Sequence, residues 1–169
     1  VLSKTTISYL EKIIKKLTNL KTLTWSTQSF NGHMFKNNPQ TVKVSDEIDF
    51  SNKHLGVLGT RILAAFVETS TCNLTSLNLS RSNDNAEPEF IQPVINILNT
   101  NQKITYLNLA GNNLNAAAVT NLTKCLNMSL KKLDLSNNYK INSNSTTQNK
   151  SGDFLAPIAQ FFSTNNTSL

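Results

Sequence analysis

The sequence predicts an α/β fold in which short parallel strands alternate with helices, and three observations predict it. A short apolar pattern recurs along the chain, its copies are evenly spaced, and the stretches between them carry apolar residues at helical period. The copies are Leu20-Lys-Thr-Leu23-Thr-Trp25, Ser45-Asp-Glu-Ile48-Asp-Phe50, Leu74-Thr-Ser-Leu77-Asn-Leu79, Ile104-Thr-Tyr-Leu107-Asn-Leu109 and Leu130-Lys-Lys-Leu133-Asp-Leu135. Their central residues, Leu23, Ile48, Leu77, Leu107 and Leu133, stand 25, 29, 30 and 26 positions apart. Within each copy apolar and polar residues alternate, which turns one face of a short strand inward. Units of similar length stacked side by side line such strands up as a parallel sheet.

The chain opens on a predicted helix, Ser8 to Leu17, with Ile7, Leu10, Ile13, Ile14 and Leu17 on one side. Lys12, Lys15 and Lys16 take the other side, which reads as a solvated basic face. The first strand centres on Leu23 and ends near Phe30. From Asn31 to Val44 there is little helical pattern and an Asn37-Asn38-Pro39 run, so irregular backbone is expected. Helices are then expected at Gly59 to Val67, Phe90 to Leu98 and Val119 to Leu126, each with an apolar stripe facing the sheet. Phe90-Ile-Gln-Pro93 is matched by Phe154-Leu-Ala-Pro157. A proline in the same register twice belongs in a first helical turn, where its missing N–H matters least. Asn142 to Gly152 is polar and reads as an inserted loop. Five residues beyond the central leucine stand Asn112 and Asn138, whose amides can bond backbone groups left unpaired as the chain turns. The other copies hold Gln28, Lys53 and Ser82 there, which puts the same turn in question in the N-terminal half.

LNLAGNNLNAAAVTNLTKCL and LKKLDLSNN resemble the leucine-rich repeats of the ribonuclease-inhibitor class, best from Leu74 onward. The resemblance implies a right-handed βα superhelix: an α/β solenoid with a parallel concave sheet and helices on the convex side. It also implies one domain over residues 1–169, about five repeats, and a scaffold that binds a protein partner through the concave strands. Asn-rich repeats without flanking disulfide caps further resemble the leucine-rich-repeat effectors that intracellular bacteria deliver into host cells. The alternative is a recognition or GTPase-activator-like part of a larger enzyme. Both ends look cut, because the opening helix would ordinarily follow a strand and Asn166-Thr-Ser-Leu169 repeats Asn127-Met-Ser-Leu130. The parent protein is therefore expected to carry further repeats or a cap.

The formal net charge is +6. The one tight basic group, Lys12, Lys15, Lys16 and Lys21, has no interleaved aromatics on which bases could stack, so no nucleic-acid partner is expected. The longest apolar run, Ile62 to Val67, is too short to cross a bilayer, and no membrane insertion is expected. Cys72 and Cys125 lack metal-ligand spacing and read as buried free thiols, pointing to the cytoplasm or another reducing compartment. His33 and His54 have no recognisable nucleophile or carboxylate partner, so no catalytic residue is assigned. Asp46, Glu47 and Asp49 form an acidic patch suited to a basic partner rather than a metal site, and no cofactor is expected. Thr22 and Thr24 stand outward on the first strand. The later strands supply the candidate partner-binding residues: Glu47, Asp49, Ser76, Asn78, Tyr106, Asn108, Lys132 and Asp134, with Tyr106 near the centre.

Overall fold

A computed structural model describes residues 4–31, 34–70, 73–83, 88–126, 129–138 and 158–159. Helix α1 spans Lys4–Ile14. Strands β1 (Thr22–Asn31) and β2 (Met34–Lys43) follow, and then three β–α units: β3 (Glu47–Asp49) with α2 (Gly56–Thr69), β4 (Ser76–Asn78) with α3 (Ile91–Thr100), and β5 (Tyr106–Asn108) with α4 (Ala116–Thr123). A single turn of tighter helix, Pro88–Phe90, leads into α3, and strand β6 (Lys132–Asp134) comes last. The architecture is mixed α/β, with a four-stranded parallel sheet in the order β3-β4-β5-β6. The helices pack in the same order, α1 on α2, α2 on α3 and α3 on α4.

The recurring apolar positions set this register. Ile48 pairs with Leu77, Leu77 with Leu107 and Leu107 with Leu133, so the central residues form one row across the sheet. Leu77 and Leu107 are fully buried, and they join Ile62, Phe66, Val94, Ile97, Val119 and Leu122 from the helices in one core. Pro93 is the third residue of α3, within its first turn, as its repetition in the sequence predicts. Its counterpart Pro157 lies outside the described residues, although 158–159 are helical and Ile158 packs against the core. The expected Asn142 to Gly152 loop also lies outside them.

Two expectations fail at the N-terminal end. The Leu20 to Phe30 copy does not join the parallel sheet. It forms β1, paired antiparallel with β2 over the full length of both strands, and Thr22 and Thr24 belong to this hairpin. Nor is the segment after Asn31 irregular, since Met34–Lys43 is strand. Pro39 is accommodated because each strand of a two-stranded sheet has one edge without a neighbour, where a missing N–H breaks nothing. The base of the hairpin turns Trp25, Gln40 and Val42 inward and Thr24, Thr41 and Lys43 outward. Trp25 packs on Phe50 with ring centroids 5.7 Å apart, and the Gln40 amide donates to the Lys53 carbonyl. The hairpin thereby covers the end of the core that a further strand would cover.

Helix α1 also departs from the expected single apolar face. Ile7 and Ile14 are buried and Leu10 is half-buried, but Ile13 and Leu17 are exposed. Its polar contacts run to α2: Arg61 donates to both carboxylate oxygens of Glu11 (2.7 and 2.5 Å), and Lys15 pairs with Glu68 at 2.7 Å.

The turns after the strands are built alike. Asn52, Arg81, Gly111 and Asn137, each four residues beyond a central residue, all have positive φ. Gly and Asn adopt this backbone readily, and Arg81 does so against its Cβ. Its stem lies on Gly111, where an added Cβ would stand 2.9 Å from Arg81 Cγ. One position later, the fully buried Asn112 donates from Nδ2 to the carbonyls of Leu109 (2.9 Å) and Leu79 (2.8 Å). Its Oδ1 accepts from the backbone N–H groups of Ser82 (2.8 Å) and Asn83 (3.0 Å). Asn138 repeats the arrangement one unit on, donating to Leu135 and Leu109 and accepting from the N–H groups of Asn112 and Leu114. Ser82 keeps one part of it, its hydroxyl donating to the Phe50 carbonyl at 2.6 Å. Serine thus preserves the bond to the preceding unit without the two acceptor contacts.

Candidate functional site

The sheet face turned away from the helices carries the eight candidate residues, and the parallel register sorts them into two rows. Glu47, Ser76, Tyr106 and Lys132 stand side by side in one row, and Asp49, Asn78, Asn108 and Asp134 in the other. All eight are exposed or half-buried, so the structure brings together every residue the sequence nominates.

The second row is committed to the fold. Each of its side chains accepts a hydrogen bond from the backbone N–H two residues on: Asp49 from Ser51 (2.7 Å), Asn78 from Ser80 (3.1 Å), Asn108 from Ala110 (3.0 Å) and Asp134 from Ser136 (3.0 Å). These are Asx turns, in which a short polar side chain takes up a donor as the strand ends. The signal is visible in the sequence as Asp-Phe-Ser, Asn-Leu-Ser, Asn-Leu-Ala and Asp-Leu-Ser, but simple alternation presents these residues only as outward-facing. The Asn78 amide also donates across the strands to Asp49 Oδ2 at 3.1 Å.

These bonds act on the two carboxyls. Partial burial pushes Asp49 upward, but the Ser51 backbone and hydroxyl, the Asn78 amide and the charge of Lys53 outweigh it and hold its pKa below the usual value. Asp134 is lowered by the Ser136 backbone N–H and hydroxyl, against a smaller effect of burial. A carboxyl with a depressed folded pKa contributes stability above its unfolded pKa and loses it as pH falls through the folded value. Denaturant titrations taken from about pH 5 downward should therefore show stability falling, in part through these two groups. An Asp49→Asn, Asp134→Asn variant keeps the acceptor oxygen, as Asn78 and Asn108 do, and should give a flatter profile. Parallel profiles for the two proteins would refute the assignment.

The first row is freer. Glu47 and Lys132 are exposed at its ends and Ser76 is half-buried. Tyr106 is half-buried, with the Lys132 ammonium 4.9 Å from its ring centroid and its hydroxyl accepting from the Asn108 amide at 3.1 Å. A cation over the ring and a donor at the hydroxyl fix the ring's position while leaving it accessible.

The remaining chemistry is sparse. Among the described residues no group of three or more His, Cys, Asp or Glu could hold a metal ion. His54 is exposed, with φ 53°, and His33 lies outside the described residues. Cys125 is a free thiol, half-buried rather than buried, and Cys72 is also outside them. No helix among the described residues is long and apolar enough to cross a membrane. Over α2, between α1 and α3, runs a groove of about 580 Å³. Its two cations, Arg61 and Lys15, are bound to its own carboxylates, Glu11 and Glu68. Comparisons with family models, with curated proteins and with solved structures find no match to this chain.

Proposed function

We propose that the chain is a leucine-rich-repeat solenoid whose concave strand face binds a protein partner, with Tyr106 as the central anchor. The repeat reading is supported by the shared register of the β–α units and by the ladder of turn asparagines. The binding reading rests on one observation: Tyr106 is positioned by Lys132 and Asn108 yet open to solvent, in a row whose members carry no turn of their own. Aromatic side chains offer large contact area with little conformational entropy to lose, and they are enriched among interface hot spots. Glu47 at one end of the row and Lys132 at the other give it opposite charges, which would orient a partner across the strands.

Affinity capture with the wild-type chain and with a Tyr106→Ala, Lys132→Ala variant tests this. A protein held by the first bait should be lost from the second. For that protein Tyr106→Ala should weaken binding by more than about 1 kcal/mol, and Glu47→Lys should mainly slow association and change its salt dependence. Thermal unfolding of the variants should stay close to that of the parent. Equal affinity for both baits would remove the strand face as the binding surface.

A further inference from the structure

The four parallel strands are short. Each of β3, β4, β5 and β6 is three residues long, so the face they share runs about 10 Å along the strands and about 14 Å across them. A stable interface between folded proteins takes roughly 800 Å² from each partner, several times what this face offers. One extended chain of about five residues covers it from edge to edge. Strand side chains stand perpendicular to the sheet, whereas strands pair in its plane, so stacking further units lengthens this face without covering it.

The charge on the face runs in one direction across the strands. Glu47 and Asp49 stand on β3, β4 and β5 contribute no charged residue, and β6 carries both Lys132 and Asp134. Glu47 is exposed and has no salt-bridge partner among the described residues. Two strands from it stands Tyr106, in the same row. Lys132 holds one face of its ring, and the small Ser76 on the adjoining strand leaves room against the other. The Tyr106 hydroxyl accepts from the Asn108 amide, which leaves its own proton free to donate.

Resting on the strand-face reading above, we propose that this face holds a proline-rich segment of its partner in the polyproline II conformation. A lysine or arginine of that segment lies over Glu47 and Asp49, and a proline lies on Tyr106. Spacing selects the conformation. Neighbouring strands are about 4.8 Å apart, so Glu47 and Tyr106 are separated by about 9.6 Å across the sheet. A polyproline II chain advances about 3.1 Å per residue with three residues per turn, which returns its side chains to one face about every 9.3 Å. An extended strand returns them about every 6.7 Å, and two turns of α-helix advance about 10.8 Å, so neither keeps step with alternate strands. A polyproline II chain has no internal hydrogen bonds, and its carbonyls need donors. The Tyr106 hydroxyl and the second N–H of the Asn78 amide, whose first goes to Asp49, supply them. The segment is also ordered before it binds, so a small contact loses little conformational entropy. Other occupants fit less well. Nucleic acid would bring phosphate against Glu47 and Asp49. A bilayer would meet two rows with one aromatic and no aliphatic side chain.

Fluorescence anisotropy with the full chain and labelled synthetic peptides tests the proposal. The probe is a proline-rich peptide with one lysine placed three residues from a central proline. Three controls should bind at least about tenfold more weakly: glycine in place of every proline, glutamate in place of the lysine, and the lysine moved by one position. The chain carries a net charge of +6, so bulk attraction would favour the glutamate peptide, and a preference for lysine reports the carboxylates of β3. Glu47→Lys should abolish that preference, and its thermal unfolding should match the parent's because the side chain is exposed. Tyr106→Ala should weaken the lysine peptide at least about tenfold, with Tyr106→Phe milder. A glycine peptide bound as tightly as the proline peptide would overturn the proposal, because the carboxylates alone would then account for binding. So would absence of binding by every peptide. If affinity capture still finds a protein lost from the Tyr106→Ala, Lys132→Ala bait, the strand face stands as a binding surface and only the polyproline ligand falls. If no protein is lost either, both readings fall.

Discussion

Asn112→Ala should destabilise the chain by roughly 3–5 kcal/mol, measured by denaturant unfolding. One side chain serves four buried backbone groups, the carbonyls of Leu79 and Leu109 and the N–H groups of Ser82 and Asn83. Leaving a buried donor or acceptor without a partner costs about 1–3 kcal/mol. The total falls short of four such losses because the turn relaxes and admits water into the space vacated. Asn112→Asp should be worse, since it turns a carboxylate oxygen toward two carbonyls in place of a donor. Asn112→Ser should be the mildest, because Ser82 already holds the equivalent position in the preceding unit with its hydroxyl on Phe50. A loss below about 1 kcal/mol for the alanine variant would mean that the ladder of turn amides does not hold the units together.

Leu107→Ala should cost roughly 2–5 kcal/mol, the range for truncating a buried leucine. Leu107 is fully buried at the centre of the row, with Leu77 on one side and Leu133 on the other. A cavity there loosens two strand contacts at once, so hydrogen exchange should rise in β4 and β6 as well as in β5. Leu133→Ala, at the half-buried end of the row, should cost less. Unchanged unfolding of the Leu107 variant would refute the register in which the strands pair.

The register was legible because the spacing of apolar residues in a short strand leaves little choice: a slip by one residue would expose the whole row. The same physics explains the failure at Leu20 to Phe30. Thr22-Leu23-Thr24-Trp25 alternates as any half-buried strand does, and alternation says nothing about whether the next strand will be parallel or antiparallel. The partner strand was hidden because Gln40 occupies an inward position that usually signals itself with an apolar residue, and because Pro39 reads as a breaker. In α1, counting apolar residues merged two faces, one toward the core and one away from α2, which only the packing of a neighbouring helix separates. At the site, sequence placed all eight residues on the correct face. It did not separate those that end the strands from those that stand free, because an Asx side chain and a solvated one point the same way until the turn beyond it forms.

The two rows differ in a way that matters for anyone who would build a binding surface on this sheet. Asp49, Asn78, Asn108 and Asp134 each close a turn, so a change there alters the scaffold along with the contact. Glu47, Ser76, Tyr106 and Lys132 stand between them with no such duty, one per strand and in direct register. A combinatorial library confined to positions 47, 76, 106 and 132 would therefore vary recognition while the backbone presenting it stays constant. The same chain can then serve as a frame on which new specificities are selected, with foldability inherited rather than screened for at each round.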